Sequence, residues 1–131
     1  MTQGAMDCMT VTRDRTLGRI LKLRRLDLER LQARMGEADA RDGAARQARA
    51  GVALRADQLA RPGPCPAPAL LFYGLEALAA EAEGLAAASD DAQADRASAE
   101  AEARHVRAEC EGLEAFLGRQ AELRRRARRW R

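Results

Sequence analysis

Aromatic side chains are nearly missing from this sequence: Phe72, Tyr73, Phe116 and Trp130 are the only ones in 131 residues. Aromatic rings dominate the energetics of compact cores, and 33% of the chain is charged, so a thick globular core is excluded. Histidine occurs once, at His105, and cysteine three times, at Cys8, Cys65 and Cys110. An odd, scattered set of thiols builds neither a disulfide framework nor a zinc-type pairing, and reduced cysteines in a cytosolic protein are the expectation. No run approaches the ~18 apolar residues needed to cross a bilayer, and no continuous apolar leader opens the chain. A soluble, cytoplasmic protein is therefore expected. Proline is confined to a single segment, Pro62, Pro64, Pro66 and Pro68, and cannot interrupt the rest.

What remains is alanine, leucine, arginine and glutamate. About half of the 47% of hydrophobic residues are alanine, which favours helix strongly and buries little area per residue. Around Arg61-Pro62-Gly63-Pro64-Cys65-Pro66-Ala67-Pro68 a helix must stop and another begin, because proline lacks the amide donor and clashes with the preceding turn. The expected organisation is a flexible arm over 1–13, then a single helical hairpin over 14–131: a helix over 14–61, a proline-rich turn over 62–68, and a helix over 69–130. At ~1.5 Å per residue the helices would run roughly 70 and 90 Å, so the second overhangs the first.

A 4-3 spacing runs unbroken through the second segment at Leu71, Leu75, Leu78, Ala82, Leu85, Ser89, Ala92, Arg96, Ala99, Ala103, Val106, Cys110, Leu113 and Leu117. The first segment carries a weaker stripe at Leu21, Leu28, Leu31, Met35, Ala38, Ala45, Val52, Ala56 and Leu59, with polar intrusions at Arg24, Asp42 and Arg49. Sustained heptads of this kind mark a coiled coil. The fold class read from them is all-α, a long antiparallel two-helix coiled-coil hairpin. Folding at the prolines sets Leu59 against Leu71, Ala45 against Leu85, Ala38 against Ala92, Leu31 against Ala99 and Leu17 against Leu113. The middle of the seam is small-sided, and the interior glycines add a further cost, so a weakly stabilised rod is expected.

Charge is unevenly placed. Thirteen basic and seven acidic residues lie between Arg13 and Arg61, whereas Glu76 to Glu102 holds eight acidic residues against Arg96 alone, so the two helices suit each other as partners. Residues 119–131 carry seven arginines and one glutamate. Three binding modes fit that tail with its Trp130: nucleic acid through phosphate contacts and stacking, an anionic membrane surface, or an acidic protein surface gripped by guanidinium forks. A solvated helix end is the fourth reading, since the charge also suits the C-terminal dipole. At the other end, Leu70, Leu71, Phe72 and Tyr73 cannot all face one helix. They form either a second binding patch or a local cap on the prolines.

No catalytic constellation appears. His105 and Cys110 are five residues apart, off any shared helical face, so no metal pair forms. Cys110 falls in the seam as a small hydrophobe, Cys65 in the loop, and Asp90 and Asp91 on a solvated face. No phosphate-binding glycine loop occurs. No catalytic residue, metal ligand, cofactor or small-molecule substrate is expected.

The opening Leu17-Gly18-Arg19-Ile20-Leu21-Lys22-Leu23-Arg24-Arg25-Leu26, the long Ala/Arg/Glu helix, the short break, and the aromatic and leucine residues that begin a longer second helix form a familiar layout. Over about residues 13–131 the chain resembles the FliJ/YscO family, the small cytosolic hairpins of flagellar and injectisome type III export. The resemblance implies a non-enzymatic central stalk whose joined ends insert into the hexameric export ATPase. Its tip would meet the export gate, a membrane protein, or export chaperones, and it would touch the membrane only through such partners. By position it implies Leu21, Arg24, Arg25, Leu117, Arg124 and Arg125 at the ATPase end, and Phe72, Tyr73, Leu75 and Leu78 at the tip. The alternatives are a generic coiled-coil scaffold or adaptor associating through its alanine seam, and a nucleic-acid-binding rod using the Arg-rich C-terminus.

Overall fold

Proline decides where the chain turns. Helix α1 runs Gln3–Ala60 and helix α2 runs Pro68–Arg129. Residue 61 precedes Pro62, which disfavours helical geometry there, and the Arg61 amide closes a last tight turn on the Gln58 carbonyl at 3.4 Å. Pro68 opens α2, where its missing N–H costs nothing and its fixed φ suits the first turn. The carbonyl of Ala67 accepts the first bonds of that helix, from Leu70 at 2.9 Å and Leu71 at 3.2 Å. Arg126, Arg128 and Arg129 occupy the last turn of α2, at the negative end of its dipole.

The computed structural model describes residues 3–63 and 67–130. The expected exposed loop position of Cys65, and the packing against Pro64 and Pro66, lie outside the described residues. The chain is an all-α helical hairpin with its two helices antiparallel. It divides into two units: a terminal unit of residues 1–33 with 99–131, and a loop unit of residues 34–98.

One boundary differs from the sequence reading. Residues 3–13, expected as a flexible arm, belong to α1. They carry no leucine stripe, but nothing in them breaks a helix. The hydroxyls of Thr10, Thr12 and Thr16, which compete for backbone bonds in other conformations, donate instead to the carbonyls one turn back: Met6 at 2.8 Å, Cys8 at 3.0 Å and Thr12 at 3.0 Å. The expected overhang of α2 is correspondingly reduced, because Thr10 and Val11 lie beside Gln120 to Arg128.

In the terminal unit the seam is built from large side chains. Leu21, Val106 and Cys110 are buried, with Leu28, Leu31, Leu113 and Leu117 packed against them and Ala99 and Ala103 buried further along α2. Full burial of each leucine-sized group contributes about 1.5–3 kcal/mol. Two ion pairs flank this strip, Arg24 Nε to Glu109 Oε2 at 2.9 Å and Arg25 Nη2 to Glu114 Oε1 at 2.8 Å.

In the loop unit the buried residues are Ala38, Ala45, Val52 and Ala92, and polar side chains do much of the joining. Asp95 accepts from Arg34 Nε at 3.0 Å and from Arg41 Nη2 at 2.7 Å. Arg96 pairs with Asp39 at 2.8 Å and Arg55 with Glu81 at 3.0 Å. The polar intrusions in the α1 stripe are absorbed differently. Asp42 accepts from the Ser89 hydroxyl, which is itself a seam position, and from Arg46 Nε at 3.3 Å. Arg24 reaches Glu109 in the terminal unit, and Arg49 is exposed.

These contacts make the loop unit acid-sensitive. The Ser89 hydroxyl and the nearby Arg46 hold the Asp42 carboxyl below its ordinary 3.8, and hydrogen bonds and charge from Arg34, then Arg41, do the same for Asp95. A carboxyl depressed in the folded state contributes stability above its unfolded pKa and loses it as pH falls through the folded value. Urea midpoints followed by helical circular dichroism should therefore fall below about pH 4. The fall should be shallower in the D42N/D95N variant, and identical slopes for the two proteins would remove this pair from the acid response.

Candidate partner-binding ends

The terminal unit presents a groove where the first turns of α1 meet the last turns of α2. Thr10 and Val11 form one wall, and Gln120, Leu123, Arg124, Ala127 and Arg128 the other, around a cavity of about 330 Å³. Beneath it Arg124 bridges to Asp14 of the facing helix. The Asp14 side chain is only 10% exposed, and its Oδ1 is buried without a hydrogen-bond partner among the described residues. The neighbouring Arg13 stacks over the Phe116 ring at 5.3 Å, a contact of the cation–π kind that orients the guanidinium. Trp130 closes the described part of the chain with 89% of its surface exposed.

The side chains expected at this end divide into three groups. Leu21 is a core residue, 7% exposed, and Leu117 packs on the same cluster. Leu21 is closed in and Leu117 half-buried, because the heptad spacing that drew attention to them is what points them inward. Arg24 pairs with Glu109 across the hairpin and with Asp27 on its own helix, and Arg25 pairs with Glu114. Arg124 is committed to Asp14, and Arg125 to Glu122 at 2.8 Å on its own helix. Arg15, Arg19, Lys22, Arg119, Arg128 and Arg129 are the basic residues near this end with no carboxylate partner among the described residues.

Sequence reasoning missed Thr10, Val11, Leu123, Ala127 and Arg128. A signal existed in α2, since Phe116, Leu123, Ala127 and Trp130 continue a 4-3 spacing beside the main seam. No comparable signal marked Thr10 and Val11.

At the loop end of the loop unit, Phe72 and Tyr73 are 63% and 65% exposed and meet edge to face, their ring centroids 6.1 Å apart. Leu70 is exposed beside them. Leu75 and Leu78, expected with the aromatics at the tip, are half-buried seam residues. Gly74 explains how the helices close here: a Cβ on it would lie 2.9 Å from Leu59 Cδ2.

Elsewhere the chemistry is sparse. His105 Nε2 lies 2.7 Å from Glu109 Oε1, one turn away on the exposed face. Among the described residues no group of three or more His, Cys, Asp or Glu side chains is placed to hold a metal, and no helix is long and apolar enough to cross a membrane. Cys8 is exposed and Cys110 buried, both as free thiols.

No family model, curated protein or solved structure matches this chain.

Proposed function

We propose that the chain is a non-enzymatic protein-binding stalk of a type III export apparatus. Its terminal end engages a hexameric export ATPase, and Phe72 and Tyr73 at its loop end engage the export gate or export chaperones. The observation that carries this reading is a difference in surface chemistry: the terminal unit has a groove, an exposed Trp130 and cations with no carboxylate partner among the described residues, and the loop unit has exposed Leu70, Phe72 and Tyr73. Each end has a different chemistry, as a connector between two unlike partners requires. Retrieval from native cytosol on the intact protein and on a version truncated after Gly118 tests it. The export ATPase should be retained by the first and lost from the second. Retention of nucleic acid, or of partners unrelated to secretion, would sink the proposal.

A second reading, a coiled-coil scaffold, is favoured by one feature: Ile20, Leu23 and Leu26 stand exposed on the outer side of α1. Nucleic-acid binding is less favoured, because Arg124, Arg125 and Arg126 already face carboxylates of the chain itself.

A further inference from the structure

The ion pairs that join the helices of the terminal unit stop one turn short of its open end. Arg24 meets Glu109, Arg25 meets Glu114, and Asp14 meets Arg124. One further turn outward, four residues back on α1 and four residues on along α2, stand Thr10 and Arg128, which line the same groove. A carboxylate at position 10 would continue the series. Thr10 supplies none, and its hydroxyl is turned back onto the Met6 carbonyl at 2.8 Å. Arg128 thus borders a hollow of mixed character, with Val11, Leu123 and Ala127 as its apolar part and no anion opposite it among the described residues.

We infer that this groove receives an acidic amphipathic helix of a partner protein, which seats an aliphatic side chain between Val11, Leu123 and Ala127 and gives Arg128 the carboxylate that Thr10 does not supply. The cavity, about 330 Å³, is at the small end of ligand sites, which span roughly 300–1,000 Å³, and suits one or two side chains better than a cofactor. Val11, Leu123 and Ala127 ask for an apolar guest, and Arg128 on the α2 wall asks for an acidic group along one edge of it. A helix with leucines and glutamates three or four residues apart meets both demands. A nucleic acid would satisfy the arginine and leave Val11, Leu123 and Ala127 uncovered. The inference rests on the terminal end being the partner-binding end, and adds the chemistry of the segment that binds there.

Trp130, the only tryptophan, lies two residues beyond Arg128 and gives a fluorescence readout, and titration calorimetry detects binding that leaves its emission unchanged. The full-length protein is titrated with a tryptophan-free helical peptide of roughly 18 residues, about five turns, built from Leu and Glu at that spacing. Versions with Leu→Ser or Glu→Gln throughout serve as comparisons, alongside phosphatidylglycerol vesicles and a single-stranded oligonucleotide. The intact peptide should bind, and each altered peptide at least about tenfold more weakly, the equivalent of 1.4 kcal/mol. Thr10→Glu, which provides Arg128 with an internal partner, and Arg128→Glu should each weaken binding by about tenfold with helicity and melting temperature retained. No binding of the intact peptide, equal binding of its Leu→Ser form, or preference for vesicles or oligonucleotide would overturn the inference. Two further results separate it from the stalk proposal. An export ATPase bound equally by the parent and T10E proteins removes the groove and leaves the stalk, whereas T10E-sensitive peptide binding without ATPase retrieval does the reverse.

Discussion

Replacing Gly36, Gly43, Gly84 and Gly112 together by alanine should raise the unfolding free energy by about 3–4 kcal/mol. Each glycine is inside a helix, none has a positive φ, and a Cβ added at any of them meets nothing within 4 Å. The gain is the helix-propensity difference, about 0.8–1.0 kcal/mol per site. It arises mostly from the unfolded chain, whose freedom alanine restricts. Separated sites of this kind add nearly independently. Against a usual stability of about 5–15 kcal/mol, the change is large. Urea denaturation should show a higher midpoint at unchanged slope. An unmoved midpoint would mean that backbone entropy in these stretches does not limit the hairpin. Gly74 is left out because the methyl of an alanine there would displace Leu59.

Leu21→Ala should act in the opposite sense, costing about 2–5 kcal/mol through lost burial and the cavity left among its neighbours. Leu21 is one of three buried residues at the centre of the terminal unit, with four leucines leaning on them. The control is Leu23→Ala two positions away: Leu23 is exposed, and its loss should stay within about 0.5 kcal/mol. Equal costs for the two would show that the seam runs on the other side of α1. The comparison also separates structure from contact, since partner binding lost with L21A follows from a loosened terminal unit and not from a missing contact residue.

The fold was legible because the α2 stripe never loses phase. Every position from Leu71 to Leu117 in that stripe is buried or half-buried, and the prolines mark the only place where both helices can end. The N-terminal limit of α1 was not legible, because residues 3–13 continue the helix through backbone bonds, which leave no heptad trace. At the two candidate ends, charge and aromaticity drew attention to segments without telling which of their side chains are buried, paired or exposed. Leu21 and Leu117 were chosen by a periodicity that buries them. Thr10 and Arg128 gain their significance only from facing each other, a relation fixed by the register of two segments 118 residues apart in sequence. The intrusions Asp42 and Ser89 likewise read as separate flaws in two stripes, yet they satisfy one another.

Asp95 has a consequence for motion within the loop unit. It is shared by Arg34 and Arg41, which are one heptad apart, about 10 Å along the helix. The neighbouring seam of Ala38, Ala45 and Ala92 has no large knobs to lock α1 against α2. If the helices slide along each other in either direction, Asp95 leaves one guanidinium as it moves toward the other. Asp95 thus ties two successive heptads of α1 to one position on α2, and any axial displacement would lengthen one of its two contacts.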